Sequence, residues 1–350
     1  MPDLGKADRA FLTDRVLPNL GADRDDVAIG PAHGVDFGLL DIGDTAAAVA
    51  TDPISILPAL GFERAARFAV EFVLADVAVS GLAPSHLAVS FTLPPDLNDE
   101  SFSRMWDAIH DEAADLGVSI VTGHTARYSG CSFPWVGGAT ALAVGDRADV
   151  IRPDGARVGD DVLVTNGPAV ETTGLLSTLF PDAIGLDEST LSTAQARLDE
   201  AACVRDAMTA SAVSDGGVHA MHDATECGLL GAFAEVAGSA GVRLDVSTDG
   251  IPIRPGVRET CDALGIDPWA AGAGGTLVIA VDPDRTADIV TALDSAGTAV
   301  GVAGTVERGS GVAVDGREVS HPEVDPAWAA YEALAASARD GTGDDSDPNT

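Results

Sequence analysis

The chain has 350 residues, 46% of them hydrophobic, and carries 55 acidic against 20 basic residues for a formal net charge of −35. That length exceeds a single typical core, so two domains are expected. So acidic a surface leaves no basic stripe for binding nucleic acid. Lys6 is the only lysine, which excludes a P-loop of the GxxxxGKS/T type and puts the one candidate Schiff-base amine at the N-terminal edge. Arginine in place of lysine on an acid-rich surface indicates adaptation to high salt, where a short screening length tolerates self-repulsion. The four cysteines, Cys131, Cys203, Cys227 and Cys261, lack CxxC spacing and read as reduced core thiols. Neither a signal peptide nor an apolar run of membrane-spanning length is recognisable, so the expectation is a soluble, cytoplasmic protein with no membrane partner.

Taken in chain order, the first half reads as mixed α/β. Strand-like alternation occurs near 45–51, 85–93 and 118–122, and the apolar stretch 133–145 adds a strand or strand pair. Helical periodicity covers 62–80 and about 98–116. The Pro-, Gly- and charge-rich segment 151–160 marks a boundary between an N-terminal domain, 1–150, and a C-terminal domain, 157–320. Beyond it DVLVTNG opens a second set with a strand, followed by helices near 169–180, 193–212 and 227–240. GTLVIAV at 275–281 is a buried strand, with a helix at 283–297 and a strand at 299–306 to follow. The acidic tail 337–350 lacks the apolar residues needed for a fold and is expected to be disordered.

One carboxylate stands out. Asp76 lies in EFVLADVAVSG, an otherwise apolar stretch of the 62–80 helix, and a buried carboxylate needs a cationic partner. Asp36 in GPAHGVD and Asp52 after AAAVAT supply two more oxygen donors, and three such groups suit Mg²⁺ against nucleotide phosphates. Taken singly, Asp36 also reads as a turn residue and Asp52 as a strand end before Pro53. In VTGHTA, His124 could serve as acid or base and Thr125 could bond a phosphate, or the pair could simply form a turn. Asp223 could be a ligand or, with Thr225, a cap for the helix that follows. Lys6 could hold phosphate as a point charge or remain a solvated side chain. The glycines of GAGGTLVIAV precede a strand rather than a helix, which argues for close packing and against a dinucleotide fingerprint.

Seven segments in one order, GK at 5–6, GPAHGVD at 30–36, TDP at 51–53, ADVAVSGLAP at 75–84, GHT at 123–125, DATECGLLG at 223–231 and GGTLVIAV at 274–281, resemble the aminoimidazole ribonucleotide (AIR) synthetase-like superfamily. Within it the chain looks most like the hydrogenase-maturation carbamoyl dehydratase branch and the archaeal AIR synthase-related proteins. The resemblance implies a two-domain α/β fold, a homodimer formed through the N-terminal sheet, and ATP with Mg²⁺ bound between the domains. It implies that Asp36, Asp52 and Asp76 carry metal and phosphates and that Thr125 and Asp223 line the same nucleotide cleft; the residues' own chemistry adds Lys6 as a nucleotide contact and His124, with Asp76, as the catalytic candidates. The implied chemistry is phosphoryl activation of a carbonyl or amide oxygen of a small-molecule substrate, with a maturation partner protein as a further expectation.

The departures are specific. Relatives of the hydrogenase-maturation branch commonly show GDT where this chain has GHT, and many members have Asn-Asp where it has Ala75-Asp76. Those enzymes also modify a cysteine at their own C-terminus, whereas this sequence ends DSDPNT, so that reaction is not expected in cis. The alternative reading is a nucleotide-binding or maturation scaffold without catalysis.

Overall fold

The alternation of TAAAVATDPIS produces an eleven-residue strand, Thr45–Ser55 (β3), the longest hydrogen-bonded neighbour of Trp135–Asp146 (β6). With Val27–Ile29 (β1), Gly38–Ile42 (β2), Pro84–Leu93 (β4) and Ser119–Arg127 (β5) they form a six-stranded sheet in the order β1-β2-β3-β6-β4-β5. Only the β4–β5 pair is parallel; its crossover is the helix Asp99–Asp115, capped by Asn98, whose side chain accepts from the Ser101 amide at 2.8 Å. A seven-stranded sheet follows, built from Asp161–Thr165 (β7), Val218–Ala224 (β8), Arg243–Val246 (β9), Thr276–Val281 (β10), Val300–Glu307 (β11), Gly311–Val314 (β12) and Arg317–Val319 (β13). Its order is β13-β12-β9-β11-β7-β10-β8. The computed structural model describes residues 5–7 and 9–342.

The two sheets share one continuous core. Every residue of β10 is buried because both its faces are covered, which accounts for the unbroken apolar run TLVIAV. Leu277, Ile279 and Val281 face a core that also holds Val70, Val73 and Leu74 of the helix Phe62–Ala78, while Val278 and Ala280 face Phe233 and Val236 of the helix Gly228–Ala240. The helix Phe62–Ala78 buries Ala66, Ala69, Val70, Val73 and Val77, the three-and-four spacing of one helical stripe, and also packs on the helix Val204–Ser214 of the second half. Arg205 of that helix meets Glu112 at 2.7 Å and Glu71 at 3.2 Å, so a charged clasp joins the two halves as well.

Two elements differ from the sequence reading. The single helix expected over 193–212 is instead Glu188–Gln195, a 3-10 turn Ala196–Glu200, and Val204–Ser214. The break lets the chain at 200–202 press on Gly275, whose φ is +92° and where an added Cβ would lie 2.1 Å from the Glu200 carbonyl and 2.6 Å from Ala201 Cα. Only glycine tolerates both that backbone and that approach. The tail expected to be disordered from 337 begins inside a helix, Pro326–Thr342, whose first turns place Ala330 and Leu334 against Leu176, Phe180 and Ile184. The remaining residues of that expectation, 343–350, lie outside the described residues. Among the described residues no helix is long and apolar enough to cross a membrane.

Candidate functional site

Asp36, Asp52, Asp76 and Asp223 are brought into mutual electrostatic contact from four elements: the loop before β2, strand β3, the helix Phe62–Ala78 and strand β8. The Asp76 carboxyl is pushed well above the ordinary carboxylate range by burial and then by the charges of Asp223, Asp52 and Asp36, with Lys6 opposing. Asp223 is itself pushed up to about 7, first by burial and then by Asp36. The cause is simple: too many carboxylates share a space poor in water for all of them to ionise. Asp76 as a residue is only half-buried, unlike the apolar residues on either side. Its place is at the edge of the cleft, where Asp36 and Asp52 join it and Lys6 is the cation that opposes their shared charge.

Two cations answer the cluster. The first is Lys6, whose ammonium donates to Thr225 Oγ1 at 2.9 Å while its backbone amide donates to Glu226 Oε2 at 2.9 Å. Burial lowers its pKa, but Glu235, Asp76, Asp223 and Glu226 outweigh that and hold it above the usual lysine value. Lys6 therefore reaches towards the carboxylates from an exposed position, held by Thr225 and Glu226 while still open to solvent. The second cation was not foreseen. His222, buried on β8 next to Asp223, stands 2.6 Å from Asp36 Oδ2 through Nδ1 and 2.9 Å from Glu235 Oε2 through Nε2. Burial alone would lower its pKa; the Asp36 and Glu235 carboxylates reverse that and carry it well above the ordinary histidine range. Glu235 is held well below the usual carboxylate range, since its bonds to His222 and His321 overcome the cost of its burial.

Local backbone makes these contacts possible. Gly34 adopts φ +75° with its Cβ position 2.7 Å from Glu235 Cβ, so any side chain there would lift the loop carrying Asp36 off the helix Gly228–Ala240. Ser239 Oγ donates to the Gly34 carbonyl at 3.2 Å and fastens the same loop. On the far side of the cluster, GAGGT bends back so that the Gly274 amide donates to Glu171 Oε2 at 3.0 Å, a carboxyl that burial raises to about 7. The sequence reading of these glycines as packing residues agrees with that geometry.

His124 and Thr125 are not part of this assembly within one chain. Both are exposed on β5, the edge of the first sheet. Asp52 pairs with Ala139, Ala139 with Val89, and Val89 with Gly123, so three strand spacings, about 14 Å along the sheet, separate β3 from β5. His124 Nε2 instead bonds the Tyr128 hydroxyl at 3.0 Å, with the two rings stacked. Within a single chain Thr125 therefore lies apart from Asp223. Glu235 carried a signal that passed unused: it is the only charged residue in GLLGAFAEVAGSA, the same anomaly that singled out Asp76.

Two coupled α/β halves with a carboxylate cleft between a β-strand and a helix of the first and a strand of the second define a class of protein. The AIR synthase related protein N-terminal domain matches residues 34–149 and the corresponding C-terminal domain matches 157–317. The chain belongs to the AIR synthase-related family. It is 26% identical over 292 residues to a Methanocaldococcus jannaschii protein named for hydrogenase expression and formation, covering 82% of this chain and 84% of that one. It is 28% identical over 220 residues to the carbamoyl dehydratase HypE of Escherichia coli, covering 63% of each. The crystal structure of E. coli HypE superposes with a TM-score of 0.69 at 26% identity, covering 80% of this chain and 87% of that one. A HypE structure in complex with ATP has the same fold, with a TM-score of 0.65 at 22% identity, covering 92% and 96%.

Proposed function

We propose that the chain is an ATP-dependent enzyme of the AIR synthase-related type that transfers the terminal phosphoryl group to a carbonyl or amide oxygen of a small substrate. The observation that carries this reading is the convergence of Asp36, Asp52, Asp76 and Asp223 with Lys6 in one cleft. Mg²⁺ fits that donor set on its chemistry. Asp76 and Asp223 resist ionisation because one ammonium and one imidazolium do not balance the carboxylates, and a divalent, oxygen-preferring cation would. Asp36, Asp52 and Asp76 would hold it, and when bound it supplies charge neutralisation for the phosphates. Lys6 places a compact positive charge over the same space, and Asp223 and Thr225 fix its position. Positioning and electrostatics of this kind carry most of the catalysis in phosphoryl transfer.

The exposed edge β5 supports a homodimer in which a second copy pairs with the first sheet, and His124 and Thr125 would then lie at that interface. A second reading, a nucleotide-binding maturation scaffold, is favoured by one feature: Asp36 is already engaged by His222 at 2.6 Å, which competes with a metal for the same oxygen. Calorimetry of ATP binding in high-salt buffer, with and without Mg²⁺, on wild type and Asp76→Asn tests the main reading. Magnesium-dependent binding lost in the variant supports it, and no binding under either condition defeats it. Binding without ADP release in the presence of small amides would move the assignment to the scaffold.

A further inference from the structure

We propose that His33, His321 and Glu235 form a separate site for a zinc-class transition metal on the outer side of the aspartate cluster. His33 comes from the loop before β2, Glu235 from the helix Gly228–Ala240 and His321 from the segment after β13. His33 Nδ1 is 3.8 Å and His321 Nε2 3.5 Å from Glu235 Oε1, and the three donor atoms lie within 4.8 Å of one another. Tetrahedral zinc with bonds of about 2.0–2.1 Å sets its ligands about 3.4 Å apart, so the two distances to the carboxylate need only a few tenths of an ångström, while the imidazole nitrogens close on one another by no more than about 1.4 Å. The imidazoles meet edge to face, with centroids 5.2 Å apart.

Two observations distinguish this cluster from a chance meeting of acid and base. His321 Nδ1 lies 2.6 Å from the Pro322 carbonyl, which can only accept, so Nδ1 carries a hydrogen and the ring is turned with Nε2 towards Glu235, where a metal ion would take the place of the proton shared with that carboxylate. A backbone carbonyl on the remote nitrogen is the usual orienting partner of a metal-bound histidine. Glu235 is oriented likewise: its second oxygen is held by His222 at 2.9 Å, which leaves Oε1 for the two histidines. His33 Nδ1 faces that same oxygen at 3.8 Å. Nitrogen and carboxylate donors in a 2:1 ratio suit zinc and its neighbours rather than magnesium. The side chains remain 23%, 30% and 19% exposed, which leaves room for a water as fourth ligand. Such an ion would pin the loop that carries Asp36 and the segment after β13 to one helix, and it requires no bound nucleotide.

The test uses the full chain, stripped with chelator and kept in high-salt buffer with excess Mg²⁺ so that the aspartate cluster is already supplied. Zn²⁺ is titrated by calorimetry, and Co²⁺ is added separately for its visible absorption. The expected result is one equivalent of zinc, and cobalt bands of tetrahedral type without a thiolate charge-transfer band, which sets aside the four cysteines. His33→Ala and His321→Gln should each weaken zinc binding by at least about 100-fold, the upper end of what a lost outer-shell partner costs, with unchanged circular dichroism. Zinc binding unaltered in both variants, a thiolate band, or no stoichiometric binding by wild type would overturn the proposal. Should His321→Gln misfold, His33→Ala decides alone, because its ring lies on a surface loop.

Discussion

His222 Nδ1 lies 2.6 Å from Asp36 Oδ2, joining the second strand system to the glycine-rich loop of the first half. The pair spans 186 residues of sequence and lies beside the aspartate cluster. Its imidazolium offsets two of the carboxylates there, because its other nitrogen serves Glu235.

His222→Gln should therefore destabilise the protein by about 3 kcal/mol at pH 6, the range found when one partner of a buried ion pair is removed. The pH dependence has a definite sign. The folded-state pKa of His222 is raised, so its contribution is whole below the unfolded value of about 6.5 and is lost as pH rises through the folded value. Chemical denaturation at intervals from pH 6 to 10 should show wild-type stability falling towards the alkaline end, with the variant flatter. Equal slopes in the two proteins would contradict the assignment.

Asp223 shifts stability with pH in the same direction, for a different reason. Its carboxyl is raised to about 7 by burial and by Asp36, so the folded protein favours the protonated form. Stability from this group is whole below about 3.9, the unfolded value, and declines as pH rises towards 7. Asp223→Asn should stabilise the magnesium-free protein at pH 8 by on the order of 2 kcal/mol while weakening nucleotide binding. Thermal unfolding with and without Mg²⁺ checks both halves: Mg²⁺ should raise the wild-type midpoint and change the variant's less. A variant less stable than wild type at pH 8 without metal would count against the crowded-carboxylate account.

Much of this arrangement was legible in the residues. The periods of β3, β10 and the helix Phe62–Ala78 are strong because each buries one face or two, and an aspartate in an apolar helix signals a cleft wherever it occurs. His222 was not legible, since a histidine in VHAMHDA resembles any strand histidine until Asp36 and Glu235 arrive from distant segments. Nor was the position of His124, because a strand does not announce which neighbour it lacks; only the order β6-β4-β5 leaves β5 at the edge. The helix break at 196–203 depends on contact with Gly275, about 75 residues away, and local propensity carries no trace of it.

Strand β5 should mediate self-association. It is an edge strand with Val121 55% exposed, and unpaired edges of this length are normally covered or charged. Val121→Lys should convert a dimer to a monomer in sedimentation-velocity experiments, with the thermal midpoint lowered by no more than the lost association explains. A wild-type monomer at micromolar concentration, or a dimer unchanged by the substitution, would remove β5 as the interface.

The single lysine makes the sharpest test of the cleft, because substituting it changes no core packing. Lys6 faces Glu235, Asp76, Asp223 and Glu226, and its ammonium is fixed on Thr225 at 2.9 Å. Lys6→Met removes the positive charge and retains the stem, so the carboxylates lose an offsetting cation and any bound polyphosphate loses a point charge. Weaker ATP binding by about tenfold is expected, the equivalent of one charge-assisted hydrogen bond near 1.4 kcal/mol. Lys6→Arg should restore part of it, since the charge returns on a planar, bulkier head that cannot reproduce the compact contact with Thr225. Calorimetry in Mg²⁺ at matched ionic strength separates the two substitutions. Binding equal in wild type and Lys6→Met would mean that this ammonium serves only to join the N-terminal segment to β8 and the residues after it.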